Sequence, residues 1–149
     1  MTSYSYDYPR PAVTADIVIF SIENGVAEVL LIQRANEPFK DQWAFPGGFL
    51  DMDETIETCA KRELKEETCL SEIELFEVGC FSEINRDPRG RTVSIAFYGI
   101  VQKSAAAPKA QDDAKSLRWF AIDSLPPLAF DHQHIFDKAY ALLKKEQNF

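Results

Sequence analysis

The chain's apolar positions fall into short runs, separated by polar and turn-forming residues. Ala15–Ile22 (ADIVIFSI) and Val26–Arg34 (VAEVLLIQR) are rich in β-branched residues and flank Glu23-Asn24-Gly25. Asn-Gly between two such runs predicts a tight hairpin. Trp43–Phe49 leads through Pro46-Gly47-Gly48 into a helix. There Ile56, Ala60 and Leu64 recur at i, i+4 and i+8 as one apolar stripe. Glu72–Ile84 and Arg91–Gln102 read as two long strands joined by Asn85-Arg86-Asp87-Pro88-Arg89-Gly90. A polar, Ala-rich linker, Ser104–Ala114, precedes a strand at Ser116–Ala121. Pro126-Pro127 breaks the chain, and Asp131–Glu146 forms a terminal helix with Ile135, Ala139, Leu142 and Leu143 on one face. No repeat or domain boundary interrupts this order. Residues 1–149 therefore read as one domain, with 1–11 as an N-terminal arm. Strands through the middle with two helices to cover them predict an α/β layered sandwich.

Composition narrows the class. A chain of 149 residues with 46% hydrophobic content and eleven Phe can bury a core as a single domain. No apolar run approaches a membrane span. The opening MTSYSYDYPRP lacks the basic-then-apolar layout of a signal peptide. Cys59, Cys69 and Cys80 are odd in number and form no CxxC, so reduced thiols in the cytoplasm are expected rather than a disulfide or zinc framework. The formal charge of -8 argues against nucleic acid as a standing partner. An anionic ligand would need metal ions and local arginines to bind.

The densest chemistry follows the Pro-Gly-Gly turn. Glu63 and Glu67 are themselves i and i+4 and share the half of the helix that carries the apolar stripe; Glu66 lies at its edge. Glu57, Lys61, Lys65 and Thr68 are expected on the opposite, solvated face, with Glu57 and Lys61 in the favourable order for an ion pair. Glu63 and Glu67 then point toward the protein body, where unpaired carboxylates are costly and repel one another unless a cation sits between them. Mg²⁺ is bound in this way, by one or two carboxylates plus waters and substrate phosphates. The competing reading is a charged helix face with Arg62 as an internal ion partner.

The wider pattern bears on that choice. Gly48, five residues, Glu54, seven residues, Arg62-Glu63-Leu64, one residue and Glu66-Glu67 resemble the Nudix box of the Nudix hydrolase superfamily. The box spans Gly48–Leu70, 23 residues of the 149, and its terminal Gly is replaced by Cys69. That place often needs φ > 0, so Cys69 should strain the helix end or finish it differently, at a cost of about 1 kcal/mol. The resemblance implies a mixed sheet between helices, an α/β/α sandwich. It also implies metal-assisted hydrolysis of a nucleoside diphosphate linked to another group. Glu63, Glu66 and Glu67 would hold Mg²⁺ or Mn²⁺, helped by a backbone carbonyl of Gly47 or Gly48. Arg62 would keep the carboxylates in register, and Glu54 would take a structural or outer role at the metal. The glycines have a second reading, as a tight strand-to-helix connection.

The ligand's identity is sought downstream. Arg86, Arg89 and Arg91 lie within six residues, which suits phosphate or carboxylate recognition and equally suits a hairpin loop offsetting nearby acids. RDPRGR, with Trp119-Phe120 and LPPLAFDH (125–132), resembles the ADP-ribose pyrophosphatase branch, which hydrolyses ADP-ribose to AMP and ribose 5-phosphate. Such enzymes often carry a proline beyond the box, and Pro88 is the candidate for it here. Phe45 joins the three arginines as an expected substrate contact. Glu83, Asp87, Asp112 and Asp113 are all available as a general base. His132-Gln133-His134 reads as a helix start capped by Asp131, because two histidines alone make a poor metal site. Tyr4, Tyr6 and Tyr8 read as a terminal arm or dimer contact, with adenine stacking as the weaker alternative. The family resemblance adds the expectation of a homodimer. Two other functions remain open: hydrolysis of nucleoside triphosphates, and non-catalytic ligand sensing. In sensing regulators such a domain continues into a DNA-binding domain, and the 18 residues after Asp131 are too few for a winged helix.

Overall fold

A computed structural model describes residues 3–111 and 113–147. Its strands are β1 (Ala12–Glu23), β2 (Val26–Arg34), β3 (Trp43–Ala44), β4 (Gly47–Phe49), β5 (Phe76–Phe81), β6 (Thr92–Val101) and β7 (Ala114–Ala121). The helices are α1 (Ile56–Thr68) and α2 (His132–Gln147). The strands form one mixed sheet in the order β3-β2-β1-β6-β5, with β4 added to β1 and β7 to β2. β1 and β6 run parallel over Ala12–Ser21, the other pairings between these strands are antiparallel, and a single parallel bridge joins Trp43 to Leu128.

The central strand shows why the fold has three layers. Residues 14–21 of β1 are all buried, so both faces of the sheet must be covered. Ile17 and Ile19 pack with Cys59, Ala60 and Leu64 of α1. Val18 and Phe20, offset by one, pack with Ile135, Phe136, Ala139 and Leu143 of α2. This is the expected α/β/α sandwich.

The elements differ from expectation at their ends. Glu72–Ile84 shortens to β5, because Glu72 (φ 59) and Asn85 (φ 68) leave extended geometry and the ladder is bulged between Glu77 and Gly79. Trp43–Phe49 divides into β3 and β4 around Phe45-Pro46. The linker is partly structured, with a 3₁₀ turn at Lys103–Ala105 and its last residue already in β7. Asn24 (φ 55) and Gly25 (φ 77) make the β1–β2 hairpin with Glu23 opposite Val26.

One expectation about α1 needs correction, and one of two alternatives is decided. Thr68 is fully buried, not solvated. The linker crosses the helix end, where the Lys109 N–H donates to the Thr68 carbonyl at 2.8 Å and the Gln111 N–H to that of Glu67 at 3.0 Å. These donors satisfy carbonyls left over at the helix terminus. Cys69 takes the left-handed conformation (φ 65, ψ 4) and returns its N–H to Lys65, so the helix ends as a glycine would end it, with a side chain attached.

The splay between β1 and β2 makes room for the site. These strands pair only from Phe20 to Glu23. Further down, β4 replaces β2, with Thr14, Ala15 and Asp16 opposite Phe49, Gly48 and Gly47.

Candidate functional site

A cavity of about 350 Å³ opens at this splay, lined by β1, β2, β4, α1, the β5–β6 loop, Asp113 and the start of α2. Its first wall is the segment from β4 to α1. The backbone here must lie close to its neighbours: a Cβ on Gly48 would fall 2.5 Å from both Glu63 carboxylate oxygens. One on Gly47 would collide with the Ala15 carbonyl and lie 2.5 Å from Asp16 Oδ1. Backbone on β1 admits only glycine at Gly47, while a side chain at Gly48 would have to displace the Glu63 carboxylate.

Glu63 and Glu67 both face the cavity, while Glu66 is nearly half exposed and does not line it. Burial pushes the Glu67 carboxyl up to about 8; a hydrogen bond from the Gly47 N–H (3.2 Å) opposes this, while the charges of Glu63, Asp113 and Asp16 reinforce it. Burial also raises Glu63, against the pull of Arg62. Arg62 organises the rest. Its guanidinium is bidentate on Glu54 (2.6 and 2.9 Å) and reaches Glu63 at 2.7 Å, Glu66 at 3.2 Å and the Phe49 carbonyl at 3.1 Å. That pairing, with the Asp51 N–H, holds Glu54 down at about 2. Glu54 is thus a brace for Arg62 and lies outside the cavity lining.

The opposite wall is basic and aromatic. Arg86 and Arg89 line the cavity, each bound to an acid: Arg86 is bidentate on Asp131 (2.6 and 2.9 Å), and Asp87 takes both the backbone N–H and the guanidinium of Arg89. Asp131 thus spends its carboxylate on Arg86, and only its backbone carbonyl accepts from the helix, at His134 and Ile135. Arg91 lies at the outer edge of the loop, 3.4 Å from the Glu83 carbonyl, and does not line the cavity; nor do Pro88 and Glu83. Phe45 lines it with a buried ring that stacks on His132 at 5.5 Å.

Several lining residues carried no functional expectation. Phe130 lies beneath the guanidinia of Arg34 (5.1 Å) and Arg89 (5.4 Å), and Arg89 also covers Phe49 at 4.8 Å. Asp16 on β1 accepts from the Ser94 hydroxyl. Of the acids considered as a base, Asp87 is locked on Arg89 and Asp112 lies outside the described residues. Asp113 lines the cavity, with Asn36 Nδ2 at 3.2 Å from its carboxylate. The tyrosines lie elsewhere: Tyr4 and Tyr8 are exposed, and Tyr6 sits under Arg10 at 3.7 Å.

Among the described residues, no three His, Cys, Asp or Glu side chains converge into a closed metal cage. The residues present do fit a hard divalent ion that keeps waters and takes substrate oxygens. They offer two carboxylates without neutralising partners enough to lower them, beside the closely approaching backbone of Gly47 and Gly48.

Residues 10–141 match the family model described as NUDIX domain. The chain belongs to the NUDIX domain family. Its Nudix segment is the wall formed by β4 and α1. The chain is 44% identical over 128 residues to an ADP-ribose pyrophosphatase of Methanocaldococcus jannaschii, covering 86% of this chain and 72% of that protein. It is 35% identical over 147 residues to an ADPR-responsive transcriptional repressor, NtrR, of Acinetobacter baylyi, covering 96% of this chain and 58% of the repressor. In structure it resembles the NUDIX domain of Shewanella oneidensis NrtR complexed with ADP ribose, with a TM-score of 0.85 at 29% identity, covering 93% of this chain and 94% of that one.

Proposed function

We propose that this Nudix protein hydrolyses nucleoside diphosphates linked to a second group, with ADP-ribose converted to AMP and ribose 5-phosphate. One observation carries the reading: Glu63 and Glu67 face a shared cavity across the Gly47-Gly48 cradle, opposite Arg86 and Arg89. The pyrophosphatase at 44% identity supports the substrate. Glu63 and Glu67 would hold Mg²⁺ or Mn²⁺, with Glu66 and a carbonyl of Gly47 or Gly48 within the same segment. The ion's contribution is to neutralise the diphosphate and acidify a water.

The chain's own residues do the rest. Arg62, braced by Glu54, holds Glu63 and Glu66 in register. Arg86 and Arg89 take substrate oxygens, and Phe45, Phe49 and Phe130 exclude water beside them. Asp113 accepts the proton of the attacking water. Water adds across the anhydride, and its oxygen ends on one of the two phosphates released. A homodimer and a cytoplasmic setting belong to the same reading. The second is supported by three free cysteines.

A screen of ADP-ribose, NADH, dinucleoside polyphosphates and nucleoside triphosphates with Mg²⁺ or Mn²⁺, with product analysis, tests this directly. AMP plus ribose 5-phosphate is expected. Nucleoside monophosphate plus pyrophosphate, from triphosphates, would move the substrate assignment. The repressor at 35% identity supports a second reading, ADP-ribose sensing without turnover. Saturable ADP-ribose binding with no product under either metal would replace the first reading with the second.

A further inference from the structure

The turn that shapes the acidic wall has one backbone donor served from the other side of the molecule. Between β3 and β4 the chain leaves the sheet at Phe45-Pro46, and Pro46 has no N–H. The Pro46 carbonyl accepts from Ile17 at 2.8 Å, and the Gly47 N–H donates to Glu67 at 3.2 Å. The buried Phe45 N–H donates to Nδ1 of His132, 3.1 Å away and 87 positions along the chain. His132 is itself buried in the first turn of α2, between the rings of Phe45 and Phe130. An accepting Nδ1 requires the neutral ring with its proton on Nε2, the atom that faces Asp16 Oδ1 at 3.6 Å. Burial lowers the pKa of His132 and so favours the neutral ring. Asp16 in turn lies directly beneath Gly47, where a Cβ would meet Oδ1.

We propose that His132 is a positioning residue for the Nudix wall. Through Nδ1 it anchors Phe45, and so fixes the Pro46-Gly47-Gly48 turn that orients Glu67 and limits Glu63. It touches neither carboxylate. A released Phe45 N–H lets the turn drift, the Gly47 bond to Glu67 lengthens, and the cation pocket loosens. The inference rests on the proposed cation site only for its functional consequence; the anchoring itself is separate.

Two substitutions distinguish the acceptor from mere bulk. In His132→Asn the amide oxygen occupies the place of Nδ1 and can still accept; in His132→Gln the amide reaches toward the place of Nε2. Amide exchange followed by NMR should show Phe45 and Gly47 exchanging at least about tenfold faster in His132→Gln, with β1 and β6 unchanged and His132→Asn close to wild type. Mn²⁺ affinity by electron paramagnetic resonance should fall about tenfold in His132→Gln and much less in His132→Asn. Equal behaviour of the two variants, in either direction, would overturn the proposal. If His132→Gln does not fold, the ¹⁵N spectrum of the wild-type imidazole decides: an unprotonated Nδ1 supports the anchor, and an Nδ1–H tautomer overturns it. Absence of Mn²⁺ binding by the wild type would remove the cation reading, while the amide exchange still decides the role of His132.

Discussion

The cavity's two walls handle charge in opposite ways. On the wall from β4 and α1, burial raises the carboxyls of both Glu63 and Glu67, and Arg62 offsets this only in part at Glu63. On the facing wall Arg86 is paired with Asp131 and Arg89 with Asp87, while Arg34 lies over Phe130 and donates to the Pro38 carbonyl at 2.7 Å. On the proposed function an added cation would complete the first wall, whereas two of the second wall's three arginines already carry acids. A diphosphate suits this asymmetry, since the ion it carries satisfies one wall while its oxygens share the arginines of the other.

The largest effect expected from breaking the asymmetry is on turnover. Glu67→Gln keeps the shape and the Gly47 hydrogen bond but removes the charge, and kcat should fall at least about 10²-fold. Unchanged hydrolysis in that variant would remove the acidic wall from the chemistry. Next is Arg62→Ala, which leaves Glu54, Glu63 and Glu66 without their shared partner. A fall in Tm of roughly 5–10 °C should follow in calorimetry, with little recovery in Arg62→Lys because an ammonium cannot reproduce the bidentate grip on Glu54. On the facing wall, Arg86→Ala should raise KM for ADP-ribose about tenfold or more while changing kcat less. A selective loss of kcat there would mean that both walls act on the transition state.

Smaller effects sharpen the contrast. The folded-state carboxyl of Glu67 sits near 8 against 4.5 ordinarily, so the folded protein holds the extra proton in that window. Its contribution to stability is fully present below about 4.5 and is lost as pH rises through 8. In chelator, Tm should therefore decline toward pH 8 in the wild type and decline less in Glu67→Gln. The smallest change is Cys69→Gly, which relieves the left-handed strain and should stabilise by about 0.5–1 kcal/mol, checked by urea denaturation.

The walls also differ in how far they can be read along the chain. The acidic wall is contiguous: a glycine turn and one helix, whose periodicity puts Glu63 and Glu67 on the inner half. The three-layer fold follows similarly from apolar runs and two amphipathic helices. Even there, Thr68 escaped, because its burial depends on a crossing by residues 109–111 that helical periodicity does not contain. The other wall joins Asp16, Arg34, Arg86, Phe130 and His132 from separate segments. Each reads locally as an ordinary strand, loop or helix start. Their proximity arises from the β1–β2 splay, which the Phe45-Pro46 break and the β4 pairing create. The clustered arginines of 86–91 did signal part of this wall, but spacing could not tell Arg86, facing inward, from Arg91, facing out.

The most direct test of the acidic wall as a cation site is thermal unfolding at pH 8, with chelator and then with Mg²⁺, in the wild type and in Glu67→Gln. Binding to the folded state alone raises Tm with ion concentration. Mg²⁺ should raise the wild-type Tm and leave the variant nearly unmoved, so that the variant is the more stable protein in chelator and loses that advantage in Mg²⁺. Equal stabilisation of both proteins, or of neither, would contradict a cation held by Glu67.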